Sequence, residues 1–342
     1  MTMIDAALMR GGTSRGVVLF LDDLAPAGER RDRQACALIG ATTVDGLGGG
    51  SPVTNKVVLV ATATSAGADL DYIVGNVSPD HASVDWSGTC GNMTSAVLPY
   101  AGIVGMLSRA PDAGPFMLRN LATGGLVEVE VLGGCTAWPT DGVEVRLTTA
   151  FLDPGGAVLG RTLPTGRPRD VVEVDGELFD FTLVDVTHPY LFLYRDQVVG
   201  ERDLEAASTE ARIERIRGTV CVALGRCAEP REAAAVSPAV PRVILLDRES
   251  SEGADVTVHA VSMGRAIGSI PVTSALAIAA ALRIDGTVLG ESHRPGPPEV
   301  RVGGPTGSIT VEAVVDDTGR VLRAAVERTT RLLMRGQISL RS

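Results

Sequence analysis

The chain is short of lysine. It carries 31 Lys and Arg residues, and only Lys56 is a lysine. It is also poor in aromatics, at 4%, so its core has to be built from Val, Leu, Ile and Ala. No basic run occurs and the formal net charge is −10, which argues against an extended nucleic-acid surface. No uninterrupted apolar run approaches the roughly 18 residues that a membrane-spanning helix requires. The N-terminus, "MTMIDAALMRGG", has no basic segment followed by an apolar one, so no signal peptide is expected and the expected location is cytoplasmic. Histidine is scarce as well. His81, His188, His259 and His293 form no i, i+4 pair and no acidic cluster, so no metal is expected. The five cysteines, Cys36, Cys90, Cys135, Cys221 and Cys227, are odd in number and fit no zinc module, which suits a reduced protein. There is no Gly-x-Ser-x-Gly elbow, and no dinucleotide fingerprint leading into a helix.

What remains is a chain of 342 residues with 40 glycines, long enough for two domains. Most of it reads as strands. "NKVVLVAT" from Asn55, "LVEVEVLGG", "GVEVRLTTAFL", "DVVEVDGELFDFTLVDV" and "DVTVHAVSM" are β-rich or alternate. Asp175-Gly176 marks a hairpin, with further turns at Asp141-Gly142 and Asp316–Gly319. Helices are expected at Asp32–Ile39, Asn92–Leu107, Glu201–Arg217 (amphipathic, so on the surface), Thr273–Arg283 and Val321–Met334. The second and fourth are apolar on every side. Such a helix needs a sheet around it, which suggests two β-rich halves, each enclosing one helix. The loop-like stretch Pro154–Pro168 and the continuous β run after it place the domain change near Val184, giving domains of 1–184 and 185–335.

Three elements carry candidate chemistry. Cys90 lies in "SGTCGNMTSAV", where turn and cap residues give way to an apolar helix. A helix N-terminus offers free N–H groups and partial positive charge, which favour a thiolate or a bound carboxylate. Free cysteine is also a common core residue, so the local sequence leaves both roles open. Lys56 opens an apolar strand after "DGLGGGSPVTN". That Gly-rich stretch is no phosphate loop, since no Gly-Lys-Ser/Thr follows and a strand does. A lone lysine in an arginine-rich chain is a candidate proton carrier, because a guanidinium stays protonated. In "MRGGTSRG", Arg10 precedes two glycines, Thr13 and Ser14, a plausible carboxylate clamp. The second half has a parallel layout. "VTHPYLF" precedes its β-rich run, and Thr273 and Ser274 sit at the mouth of its helix, where Cys90 and Gly91 sit in the first. Ser14 to Cys90 spans 76 residues and His188 to Pro271 spans 83, as expected of a duplication.

Taken together, "MRGGTSRG", "DGLGGGSPVTNKV", "SGTCGNMTSAV", "FLDPGG", "LPTG", "SMGR…IPVT" and "RTTRLLMRGQI" resemble the PrpF family along nearly the whole chain. The resemblance implies an α+β fold like that of diaminopimelate epimerase: two pseudo-symmetric β-barrel-like domains, each wrapped around a central helix, with the site in the cleft. It implies that the C-terminal residues 336–342 return to the first domain. It also implies a cofactor-free 1,3-proton shift in a small unsaturated di- or tricarboxylate such as an aconitate or methylitaconate-like acid. Lys56 and Cys90 match the acid/base positions. Arg10, Thr13, Ser14, Gly91, Asn92, His188, Thr273, Ser274, Thr306 and Gly307 match substrate-binding positions. A keto–enol tautomerase and a non-catalytic accessory protein are the alternatives. A homodimer is compatible with the resemblance; from the charge and hydropathy no nucleic-acid or membrane partner is expected. A two-thiol racemase of this fold is disfavoured, because the second mouth, Pro271-Val-Thr-Ser274, has no cysteine. Arg15 stands where the family usually has lysine, His188 where it has asparagine, and "GGPTG" (303–307) lacks the usual histidine. Ala266–Ser269 replaces a stretch that often carries histidine and a basic residue; this loss of basic groups from the second half implies fewer carboxylates in the substrate, or an uncharged arm in place of one.

Overall fold

A computed structural model describes residues 2–40, 43–78, 82–87, 90–140, 142–200, 202–262, 264–290 and 298–340. Two compact units result: Met1–Leu152 with Glu327–Ser342, and Asp153–Val326. The first contains β1 (Thr2–Gly11), β2 (Ser14–Phe20), α1 (Glu29–Ile39), β3 (Lys56–Thr62), β4 (Leu70–Val77), β5 (Val84–Asp85), α2 (Gly91–Ile103), β6 (Phe116–Asn120), β7 (Leu126–Val131) and β8 (Val145–Leu152). The second contains β9 (Asp170–Val174), β10 (Glu177–Val186), β11 (His188–Tyr194), α3 (Arg195–Val198), α4 (Ala207–Ala223), α5 (Ala233–Val236), β12 (Arg242–Leu246), β13 (Val256–Ser262), β14 (Arg265–Ile267), α6 (Val272–Ala281), β15 (Glu299–Gly304) and β16 (Gly307–Val315). The last strand, β17 (Val321–Leu340), contributes its start to the second unit and the rest to the first.

In the first unit β1, β2, β3, β4, β6, β7 and β8 pair in that order, and β17 pairs with both β8 and β1. Eight strands thus close a ring around α2, which packs on β1, β2, β3, β4 and β8. The cause is in the residues. A strand shows successive side chains to opposite faces. Val17, Leu19, Val57, Leu59 and Ile73 form an outer cluster with Ala35, Leu38 and Ile39 of α1, so their neighbours turn toward α2. That helix is buried from Met93 to Ala101 and needs apolar contact on all sides. Each fully buried large side chain contributes about 1.5–3 kcal/mol.

The second unit repeats the plan. Its order β10–β11–β12–β13–β15–β16–β17 shows the same succession of antiparallel and parallel neighbours as β1–β2–β3–β4–β6–β7–β8. Short β5 and β14 extend β4 and β13 in the same sense, and each is followed by the central helix of its unit. The α6 helix is buried along its length and packs on β10, β11, β15 and β16. The α4 helix lays Ile213, Ile216 and Val220 on the outer face of the sheet.

Three expectations shift. The segment expected as a final helix, Val321–Met334, is the twenty-residue strand β17. Its Leu, Arg and Ala residues favour a helix locally, but pairing with β16 and β1 overrides that weak preference. The surface helix begins at Ala207 rather than Glu201 and runs to Ala223; Glu201 lies outside the described residues. The division falls at Leu152/Asp153, before the Pro154–Pro168 loop rather than near Val184. The continuous β run is the β9–β10 hairpin, turning at Asp175-Gly176, and all of it belongs to the second unit. The return of the C-terminus starts at Glu327, with Thr2 opposite Leu340 and Gly11 opposite Thr330. The turn expected at Asp141-Gly142 begins outside the described residues.

Candidate active site

At one end of the first ring, Gly16 lies opposite Lys56, and Lys56 opposite Asn76. Paired residues share a face. A Cβ built on Gly16 would come within 3.0 Å of Lys56 Cβ and of Met93 Cε, so this is the face that meets the start of α2. Lys56 is 8% exposed, and its Nζ donates to Asn76 Oδ1 at 2.6 Å. The Gly-triplet loop folds over buried Asn55, whose Oδ1 accepts from the Gly49 and Gly50 N–H groups at 3.2 and 3.1 Å. The loop therefore fixes the chain just ahead of the lysine.

Cys90 is the N-cap of α2, with φ −122° and ψ 99°, and its thiol makes no capping bond. It is a half-buried free cysteine. Intrahelical bonding begins with Thr94, whose N–H and hydroxyl both donate to the Cys90 carbonyl, at 2.9 and 3.0 Å. The N–H groups of Gly91, Asn92 and Met93 have no intrahelical acceptor. They are the donors an anion at this mouth would meet.

The β1–β2 loop closes over the same mouth. Asn92 Nδ2 donates to Thr13 Oγ1 at 3.0 Å and to Ser14 Oγ at 3.4 Å. A Cβ at Gly11 would lie 2.3 Å from the Asn92 carbonyl oxygen, so only glycine fits. Gly12 has φ +51°, in the left-handed region that glycine tolerates. Arg10 is paired with Arg15 on the face turned away from α2. Its guanidinium donates to the Gly12 carbonyl, to Thr329 and to Glu144. Arg10 thus braces the loop from outside, and the structure does not bring it to the mouth.

The cation that does reach this region is Arg328, which the sequence reading did not single out. A Cβ at Gly12 would lie 2.3 Å from Asn92 Oδ1 and 3.1 Å from Arg328 Cδ. Neither Asn92 Oδ1 nor Arg328 Nε has a hydrogen-bond partner among the described residues, and both atoms are buried. Burial pushes the Arg328 guanidinium down to about 10. One arginine among thirty has no local signature; only its place at the head of "RTTRLLMRGQI" set it apart.

The second unit has its own helix mouth. Pro271 is the N-cap of α6, so Pro271 is the counterpart of Cys90, and Thr273 of Asn92. Thr273 Oγ1 is hydrogen-bonded to the Tyr190 hydroxyl at 2.6 Å, and Ser274 Oγ donates to the Pro271 carbonyl at 2.7 Å. His188 contacts the Tyr190 ring edge-on and bonds the Ala239 carbonyl through Nε2 at 2.7 Å. Thr306 Oγ1 donates to the Gly268 carbonyl at 2.7 Å, and Gly307 opens β16 with φ +137°. Thr273 and Ser274 stand in the first turn of α6 with their hydroxyls bonded to protein. Among the described residues no group of three His, Cys, Asp or Glu side chains could hold a metal ion. His81 and His293 lie outside them. No helix among them is long and apolar enough to cross a membrane.

Two pseudo-equivalent barrel-like halves, each around a buried helix, define the epimerase-like class of fold. The model of the family described as PrpF protein matches residues 1–341, and the chain belongs to that family. It is 31% identical to 3-methylitaconate isomerase of Eubacterium barkeri, over 98% of this chain and 96% of that one. It is 30% identical to 2-methyl-aconitate isomerase of Shewanella oneidensis, over 97% and 96%. The crystal structure of a methylitaconate-delta-isomerase superposes with a TM-score of 0.82 at 29% identity, covering 99% of this chain and 96% of the other. A hydroxyproline epimerase from Agrobacterium vitis shares the fold at a TM-score of 0.55 and 18% identity, over 99% and 93%.

Proposed function

We propose that the protein is an isomerase that moves a proton, and with it a C=C bond, within a small unsaturated di- or tricarboxylate, without a cofactor. The observation that carries this reading is the single lysine of the chain, set on the helix-facing side of the ring at the end where Cys90 caps α2. Family membership and the names of the two relatives support it.

The chemistry follows from the groups present. A C–H beside a C=C conjugated to a carboxylate is lost only if the resulting dienolate is stabilised. The N–H groups of Gly91, Asn92 and Met93 are preorganised donors for that charge. One of Lys56 and Cys90 takes the proton from the γ carbon, and the other returns one to the α carbon. Lys56 is held by Asn76, whose carboxamide oxygen accepts an N–H of the ammonium. Thr13, Ser14 and Asn92 form a hydrogen-bonded rim at the mouth. Thr273, Ser274, His188, Thr306 and Gly307 are the candidate ligand contacts of the second unit.

The test is proton NMR in D2O with methylitaconate and 2-methylaconitate as probes. Wild-type protein should incorporate deuterium at the allylic carbon. Lys56→Met and Cys90→Ala should each slow exchange by about 10²–10⁴, the usual contribution of a positioned acid or base. Exchange that survives both substitutions would remove the assignment.

A further inference from the structure

We propose that Arg328 is the carboxylate-binding cation of the first helix mouth, and that it sets a preference for a diacid over its monoester. The inference rests on the isomerase reading only for the identity of the ligand.

Thr330 lies opposite Gly11 in the β1–β17 register, and Gly11 is on the face turned to α2. Arg328 precedes Thr330 by two residues, so it shares that face one pleat beyond the end of β1. Its Cδ lies against Gly12, across from Asn92 Oδ1. The Gly12 N–H donates to the Thr329 carbonyl at 2.8 Å, which locks the two chain segments together at this point.

Among the described residues, no carboxylate neutralises the guanidinium. One N–H donates to the Glu327 carbonyl at 3.0 Å. The Glu327 carboxylate is taken by Arg146, at 2.9 and 2.7 Å, and Glu144 is taken by Arg10. Nε is buried without a partner among the described residues. Arg328 is half-buried and its bond to Glu327 is exposed, but its buried Nε side has no counter-ion among the described residues; such a group is costly, and proteins retain one where something pairs with it. Burial depresses the guanidinium, and a carboxylate would relieve that penalty. Five N–H donors suffice for the Glu327 carbonyl, Asn92 Oδ1 and both oxygens of a carboxylate. The N–H groups at the start of α2, which begins one residue before Asn92, add partial positive charge to the same place.

The experiment is calorimetric titration of methylitaconate and its monomethyl esters into wild type, Lys56→Met, Arg328→Met and Arg328→Lys, with deuterium exchange measured in parallel. Wild type should bind the diacid more tightly than at least one monoester, by about tenfold to a hundredfold, as for the loss of a charge-assisted bond. Arg328→Met should lose that factor and bind acid and ester within about threefold of each other. Arg328→Lys keeps the charge but not the planar fork, and should fall between the two; it also reads the role if the Met variant does not fold. Lys56→Met should keep the affinity and lose exchange. Undiminished diacid preference in folded Arg328→Met protein, or, where that variant does not fold, a preference in Arg328→Lys as large as that of wild type, would overturn the assignment, as would a wild type that binds neither acid nor ester. Binding that depends on Arg328 without exchange in wild type would sink the isomerase reading and leave this one standing.

Discussion

The two helix mouths are built on one plan and furnished differently. In the first unit the residue opposite Gly16 across the parallel pair is Lys56; at the matching place in the second, the residue opposite Tyr190 is Arg242. One can surrender a proton and the other cannot. The helix N-cap is Cys90 in one and Pro271 in the other. Gly16 leaves room beside Lys56, whereas Tyr190 fills the corresponding space with a ring whose hydroxyl is spent on Thr273. The first mouth carries a thiol and an amine, and the second, among the described residues, carries neither. The second keeps the shape and the apolar packing. The difference shows how a fold shared with an epimerase can present a single thiol, and under the proposed function it puts proton transfer in one unit.

Lys56→Arg tests this contrast most severely, because it gives the first mouth the residue of the second. Positive charge and the bond to Asn76 can both persist; the capacity to release a proton does not. Exchange should fall by about 10²–10⁴, as far as in Lys56→Met. A Lys56→Arg protein exchanging within tenfold of wild type would mean that the charge alone matters, and the contrast would collapse.

At the second mouth the expected loss is in stability. Thr273→Val strands the buried Tyr190 hydroxyl, which costs about 1–3 kcal/mol and lowers Tm by several degrees. Exchange at saturating substrate should stay within about threefold of wild type. The double variant Tyr190→Phe/Thr273→Val should recover part of the loss, because no polar group is then left unpaired. A fall in exchange as steep as that of Cys90→Ala, with Tm unchanged, would move Thr273 into the chemistry and erase the asymmetry.

Both central helices could be read from the sequence because they are apolar all round, a pattern that only an enclosing sheet satisfies. Lys56 could be found because composition isolates it, and its strand start could be read from "KVVLVAT". The fate of Arg10 could not. Whether an arginine beside a Gly-Gly turn faces the helix or the outside depends on strand register, and a one-residue change of face is invisible without the partner strand. Arg328 was hidden for the same reason. Its segment has helix-favouring composition, and only pairing with β16 and β1, far away in sequence, makes it a strand. The domain division was misplaced because the sequence signal of a loop, Pro154–Pro168, marks irregular backbone and not the place where contacts change partners.

The smallest effect expected separates the units by their response to acid. Asp71, buried in β4, is raised by its burial, but bonds from Arg119 (2.8 and 2.7 Å) and from Thr64 outweigh this and hold it below the usual carboxylate range. Asp185, in β10, is pushed above that range by burial, which its bonds from the Leu159 and Val158 N–H groups only partly offset. For Asp71 the folded protein binds its proton less tightly than the unfolded chain, so its contribution is present above about pH 4 and is lost as pH falls through the depressed folded value. For Asp185 the folded protein binds the proton more tightly. Its charge therefore costs stability at neutral pH, and that cost is relieved as pH falls through the raised folded value toward about 4. Hydrogen exchange, corrected for intrinsic rates, should then show protection rising around Val158 and Leu159 between neutral pH and about 4, and falling around Thr64 and Asp71 only below that. Asp185→Asn should abolish the rise and leave the fall. If both segments lost protection together from neutral pH downward, acid would be acting on the protein as a whole, and the two units would not differ in this respect.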